Sequence, residues 1–147
     1  MRQTTLFLSV RPVFANKILS GAKTIELRRV RPNVSGGDMV LIYSTSPEMA
    51  LLGRAQVAEV VAGTPRGIWE QVKGRAGISR SEYDEYFSGA PTAIAIRLRA
   101  AQRLTRPIPL RELRERWPWL RPPQGYRYVD AWLAPEGETV RSLAPCA

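Results

Sequence analysis

The sequence predicts an α+β domain: a small, strongly bent sheet or pseudo-barrel of about five or six strands, with flanking and inserted helices. Three observations carry this. Short runs of strand chemistry recur along the chain, separated by clusters of Gly, Pro, Asn and Asp. A helical stripe follows the first run, and further helical segments sit together in the middle of the chain. Strand and helix do not alternate strictly, as a doubly wound parallel sheet would require. The 147 residues, 44% of them apolar, suit one domain with its own core. Residues 1–133 are assigned to that domain. Residues 134–147, with two prolines and no apolar period, are assigned to a loosely ordered tail.

The elements follow in order. Thr5–Val10 is short and β-rich and forms a first strand. Pro12 suits a first helical turn, and Val13, Phe14, Ile18 and Leu19 make an apolar stripe that stops at Gly21, a C-cap residue. Lys23–Arg29 alternates, with Ile25 and Leu27 on one side and Thr24, Glu26 and Arg28 on the other, which predicts a half-buried strand. Residues 32–38 form a turn-rich loop. Met39–Ser44 is a third strand that Ser46-Pro47 breaks, and Leu51–Val61 a fourth, with Gly53 at a bulge. Thr64-Pro65 caps a helix carrying Ile68, Trp69 and Val72 that ends near Gly74. Ser79 and Glu82 have capping-box spacing before Tyr83, Tyr86 and Phe87, and Gly89 ends that helix. Thr92–Leu104 is a long strand, bent or bulged. Pro109–Trp117 is a short amphipathic helix that Pro118 stops. A Pro122–Gly125 loop leads into a last strand, Tyr126–Val129.

Composition removes several chemistries. Without histidine there is no Ser-His-Asp triad, Cys-His pair or His-containing zinc site. The one cysteine, Cys146, makes neither an internal disulfide nor a cysteine-rich metal site, so no metal or cofactor is assigned and a cytoplasmic setting is expected. The only N-terminal apolar run, Leu6–Val10, is far too short for a signal peptide or a membrane span. Catalysis, if any, falls to carboxylates, Lys, Arg, Tyr, Ser and Thr.

The net charge of +9, from 22 basic and 13 acidic residues, makes polyanions natural partners. Nineteen of the basic residues are arginines, a bias that a GC-rich genome produces unaided. Such a bias predicts an even spread. Instead residues 1–31 carry +6 and residues 97–127 carry +7, while the stretch between them is close to neutral. The clustering favours a functional surface, either one shared basic face or two separate patches.

The densest stretch is Gly21-Ala22-Lys23-Thr24-Ile25-Glu26-Leu27-Arg28. Glu26 and Arg28 share a strand face, and Lys23 joins them only if the strand entry twists it round. A carboxylate between two cations orients them, or accepts hydrogen bonds from an amino-bearing ring. An ordinary surface ion pair, worth ~0–1 kcal/mol, has the same pattern. Ser9 and Arg11 stand where strand passes to helix and are candidates for a phosphate. Tyr43, Ser44 and Ser46 end the third strand and are candidates to line the same cleft. Gln124, Tyr126, Arg127 and Tyr128 combine an amide, rings and a cation, the mixture that single-stranded RNA recognition uses. Arg111, Arg114, Arg116 and Arg121 are candidates for phosphate contacts, with Arg103 and Arg106 just before them. Trp69, Trp117, Trp119 and Trp132 are read as core or lid packing, with the Trp117/Trp119 pair the best exception. Glu82, Asp84 and Glu85 are read as solvated helix surface.

Leu8–Pro12 together with Ile18–Arg28 resembles the start of an ASCH domain, whose signature G-x-K-x-x-E-x-R is met by Gly21, Lys23, Glu26 and Arg28. Gly37–Pro47, Gly53 with the run after it, Ile78–Phe87 and Pro122–Tyr128 resemble later blocks of a bacterial, transcription-regulator-like subgroup, so the likeness covers about residues 5–129. The resemblance implies a PUA-like fold with a cleft beside the motif strand, binding RNA or DNA (single strands favoured) or a nucleotide-like small molecule. It also implies an alternative, an enzyme on a modified nucleoside such as N4-acetylcytidine, or a ribonuclease, using Lys23 and Glu26. In the amidohydrolase relatives the nucleophilic Thr takes the place held here by Glu26.

Overall fold

The computed structural model describes residues 4–129. Its elements are β1 (Thr5–Val10), α1 (Pro12–Ser20), β2 (Ile25–Arg28), β3 (Met39–Ser44), β4 (Ala50–Gly63), α2 (Pro65–Val72), α3 (Arg80–Tyr86), β5 (Ala93–Pro109), α4 (Leu110–Arg116) and β6 (Tyr126–Val129). The six strands make one sheet in the order β2-β5-β4-β3-β1-β6. β1 and β3 run parallel; every other pair is antiparallel.

The sheet curls because its two longest strands are bulged. The β4–β5 register slips at Leu51/Gly53, Arg54/Gln56 and Val57/Glu59, and each slip adds twist. The two edges then approach each other through side chains: the Arg28 guanidinium of β2 lies 5.8 Å from the Tyr126 ring of β6. The enclosed face carries Leu6, Leu8, Val10, Ile42, Ile94 and Ile96, and α1 packs Ala15 and Ile18 into it. The other face is covered in two places. α4 seats Leu110 and Leu113 against Phe7, Leu41 and Tyr43, while α2 and α3 seat Ile68, Trp69, Tyr83 and Phe87 against Ile25, Leu27, Ala93 and Ala95. Fully burying one such side chain contributes roughly 1.5–3 kcal/mol.

The local signals act as expected. Gly21 caps α1 in the left-handed region, with φ +87°. Thr64 accepts the Gly67 N–H at the start of α2, and Ser79 and Glu82 complete a capping box on α3. Two elements differ from the reading of the sequence. β5 runs on to Pro109 because its residues 108–109 pair with Ala50 and Leu51 beyond the bulges. β2 is buried on both faces and not one, since Ile25, Glu26 and Leu27 are all covered. Trp69 is core, as expected, and Trp117 packs partly against the α4 cluster, but Trp119 is 53% exposed. Trp132 and residues 134–147 lie outside the described residues.

Gly53 has the least room of the glycines in the sheet. A Cβ there would overlap the Gln102 carbonyl oxygen and stand 2.7 Å from Leu19 Cδ2. Gly53→Ala is therefore expected to destabilise the fold by about 3 kcal/mol, the upper range for overpacking, read as a lowered midpoint in urea unfolding at unchanged slope.

Candidate functional site

The motif residues meet because the chain turns sharply between α1 and β2. Gly21 ends the helix, and the Lys23 N–H bonds back to the Lys17 carbonyl, which rotates the Lys23 side chain to the same side as Glu26 and Arg28. The segment joining α2 to α3 closes over it. The Arg75 carbonyl accepts from the Thr24 and Ile25 N–H groups, the Gly77 carbonyl accepts from Lys17 Nζ at 3.0 Å, and the Ala76 carbonyl accepts from Lys23 Nζ. Gly77 is left-handed, φ +71°, and a Cβ there would press on the Lys23 stem at 3.1–3.2 Å.

Lys23 and Glu26 are 4% and 6% exposed, which makes this a buried charge cluster and not a solvated strand pair. Arg28 Nη2 donates to Glu26 Oε2 at 2.5 Å, while Glu26 Oε1 stands 4.0 Å from Lys23 Nζ. Burial pushes the Lys23 ammonium pKa below its ordinary 10.5. The Glu26 carboxylate opposes that shift, and the nearby charges of Arg28 and Lys17 add to it. The cluster forms the floor of a pocket of about 250 Å³. Ser9 and Arg11 bring polar groups to its wall, and Val10, Phe14, Leu27, Ile78 and Tyr86 give apolar surface. The Phe14 ring has Arg11 at 4.8 Å, Lys23 at 5.4 Å and Lys17 at 5.9 Å from its centroid. A planar apolar group beside an anionic one fits this mixture of walls.

Thr24 precedes β2, so strand alternation does not place it with Glu26. It lines a second cleft of about 260 Å³ with Ser20, Arg99 and Ala100, and Lys23 borders both cavities.

Five of the candidate residues thus converge: Ser9, Arg11, Lys23, Glu26 and Arg28. The end of β3 goes elsewhere. Tyr43 sits in the α4-side core with its ring 5.4 Å from Phe7, Ser44 is fully buried and donates to Glu48 Oε1 at 2.7 Å, and Ser46 is exposed in the turn that follows. On β6, Tyr126 lies outside the pocket lining with its ring 5.8 Å from the Arg28 guanidinium, whereas Tyr128 is exposed and its hydroxyl accepts the Asn33 N–H at 2.6 Å. Arg127 points to the other face, 4.5 Å over the Trp119 ring, and Gln124 is exposed in the preceding loop. Arg111, Arg114, Arg116 and Arg121 are exposed on α4 and the loop after it, across the sheet from Lys23, and Arg114 Nε donates to the Leu120 carbonyl at 3.0 Å. The two basic blocks meet at the Arg28–Tyr126 seam and again where Arg103 Nη2 donates to Asn16 Oδ1 at 2.9 Å.

Sequence reading missed Ile78, Tyr86 and the carbonyls of Arg75–Gly77, which arrive from the α2–α3 segment about 50 residues downstream of the motif and bear no local signal of it. Among the described residues no cluster of His, Cys, Asp and Glu is arranged to hold a metal, and no helix is long and apolar enough to cross a membrane. In α3, Glu82 serves the capping box and Asp84 pairs with Arg80 at 2.9 Å.

The curled mixed sheet with helices on its faces and a Lys-Glu-Arg pocket beside β2 defines a PUA-like α+β domain. Residues 8–103 match the ASCH domain model, and the chain belongs to the ASCH domain family. It is 35% identical over 122 residues to an ASCH domain-containing ribonuclease of Zymomonas mobilis, covering 83% of this chain and 82% of that protein. The crystal structure of ASCH from Zymomonas mobilis superposes with a TM-score of 0.83 at 32% identity, over 95% of this chain and 92% of that one. Human THYN1, solved in complex with 5-methylcytosine-containing DNA, shares the fold at a TM-score of 0.56 and 13% identity, over 88% of this chain and 92% of that one.

Proposed function

We propose that this chain binds nucleic acid, RNA before DNA and single strands before duplexes, at the pocket formed by Ser9, Arg11, Lys23, Glu26 and Arg28. The convergence of these residues carries the reading: three cations and one carboxylate around a cavity with an aromatic wall suit one nucleotide of a strand. The net charge and the Zymomonas ribonuclease relative support it. The basic residues outside the pocket, among them Arg103 beside α1, supply phosphate contacts for the flanking strand. The transcription-regulator-like subgroup, a cytoplasmic setting, one domain over residues 1–133 and a nucleotide-like small ligand are parts of the same proposal.

The test is a salt titration. The logarithm of the RNA affinity is expected to fall linearly with the logarithm of salt concentration, with a slope near −0.7 per phosphate neutralised on a single strand. An affinity for oligonucleotides that does not change with salt contradicts the reading, as does the absence of binding at low salt.

A ribonuclease reading is favoured by the place of Lys23, buried in the pocket with its Nζ held on the Ala76 carbonyl, where burial pushes its pKa below the ordinary value. An amine that gives up its proton more easily is the property required of a general base. In this scheme the Lys23 amine takes the proton of a ribose 2′-hydroxyl. The 2′-oxygen attacks the adjacent phosphorus, and the 5′-oxygen leaves, taking a proton from water. The products are a 2′,3′-cyclic phosphate and a 5′-hydroxyl end. Arg28 and Arg11 offset the charge that builds on the phosphoryl oxygens. DNA lacks the 2′-hydroxyl and is expected to bind and stay intact. With Thr24 in the other cleft, the threonine nucleophile of the amidohydrolase relatives has no counterpart beside Lys23 and Glu26, which favours cleavage of RNA as the enzymatic reading.

A further inference from the structure

Two donors in the wall of the pocket have no partner. Ser9 is 5% exposed and its Oγ makes no hydrogen bond, and Arg28 Nε is equally buried and equally unpaired. Each guanidinium or hydroxyl donor hidden from water without an acceptor costs stability, so a pair of them in one pocket marks a place where an acceptor belongs. We infer that Ser9 and Arg28, with Arg11 at the mouth, form a phosphate seat, which deepens the nucleic-acid reading by naming the group the pocket holds. The inference rests on that reading only for the source of the phosphate.

Charge separates a phosphate from a base edge. Arg28 Nε only donates and the Ser9 hydroxyl can donate, and a phosphate offers such a set several acceptor oxygens together with a negative charge that a base edge lacks. The charge agrees: Arg11, Lys23 and Arg28 stand against Glu26 alone. The backbone contributes little. α1 begins with Pro12, which has no N–H, and the N–H groups of Phe14 and Ala15 are taken by the Arg11 carbonyl at 2.9 Å. The seat is therefore made of side chains, and Ser9 is the residue whose loss isolates it. Ser9 keeps its place through backbone contacts, its N–H donating to the Gly125 carbonyl at 2.8 Å, which alanine retains.

The experiment is calorimetric titration of the wild-type chain and of Ser9→Ala with inorganic phosphate, a nucleoside, its 3′- and 5′-monophosphates, and a single-stranded RNA, with thermal melts alongside. The wild type is expected to bind a monophosphate at least tenfold more tightly than the nucleoside, and inorganic phosphate is expected to compete with it. Ser9→Ala is expected to lose about tenfold in monophosphate affinity, the size of one charge-assisted hydrogen bond, while its melting temperature stays level or rises. That opposition of signs is what a structural serine would not give. Equal affinity for nucleoside and monophosphate, or a Ser9→Ala variant that binds the monophosphate as the wild type does, overturns the inference. If RNA binding still depends on Lys23 in that event, the nucleic-acid reading survives alone. Phosphate binding that depends on Ser9 in a chain that ignores RNA upholds the seat and removes that reading.

Discussion

If the chain cleaves RNA by the scheme proposed above, Lys23→Ala is expected to lower single-turnover cleavage by about 10²–10⁴-fold, the range for a lost general base, with a smaller loss of RNA affinity. The reason lies in where the amine is held. Its stem is clamped by Gly77, its Nζ is fixed on the Ala76 carbonyl, and burial disfavours its charged form. A base works when deprotonated, so the wild-type rate should climb with pH along a limb set below the ordinary lysine value of 10.5. Lys23→Ala should lack that limb. A wild-type and a Lys23→Ala preparation with the same residual activity and the same pH profile would point to a contaminating nuclease. Gly77→Ala provides a milder probe of the same clamp: its Cβ would displace the Lys23 stem and strain a left-handed residue, so it should reduce the rate with little change in RNA affinity.

Glu26→Ala is expected to cost as much stability as Gly53→Ala, about 3 kcal/mol in urea unfolding. The side chain is buried, its Oε2 accepts from Arg28 at 2.5 Å, and its Oε1 faces Lys23. Removing it leaves the buried Lys23 and the half-buried Arg28 together with no carboxylate between them. The loss arises from the stranded charges and not from a large favourable energy of the pair itself, because desolvation offsets much of the attraction. The double variant Glu26→Leu with Arg28→Met removes both sides of the pair and is expected to recover a good part of the loss. A double variant less stable than Glu26→Ala contradicts that account, as does a Glu26→Ala chain of wild-type stability.

Most of the fold was legible because its signals are local. Gly21, Thr64, Ser79 and Gly53 each perform at their own position the role their residue type suggests. The site was legible in half. Glu26 and Arg28 share a strand face by simple alternation, and the structure pairs them. Lys23 depends on a turn that alternation does not describe, and Thr24 escapes the strand face for the same reason. Ser44 and Tyr43 end the strand next to β1, yet their side chains are spent on Glu48 and on the α4-side core. What stayed hidden was the roof. Ile78, Tyr86 and the Arg75–Gly77 carbonyls reach the motif only through packing of the α2–α3 segment on β2, a long-range contact without a sequence period. The charge count behaves likewise. Its two blocks are plain in the sequence, but only folding shows that they touch at Arg28–Tyr126 and at Arg103–Asn16 and that the α4 arginines face away from the pocket.

Binding of a strand at the pocket can be measured residue by residue. Backbone and side-chain NMR shifts of the labelled chain, followed during titration with a short single-stranded RNA, report which surface the strand meets. The largest changes are expected at Ser9, Arg11, Phe14, Lys23, Glu26, Arg28 and Tyr86. Changes confined to Arg111, Arg114, Arg116 and Arg121 across the sheet, with the pocket resonances unmoved, would rule out binding at the pocket.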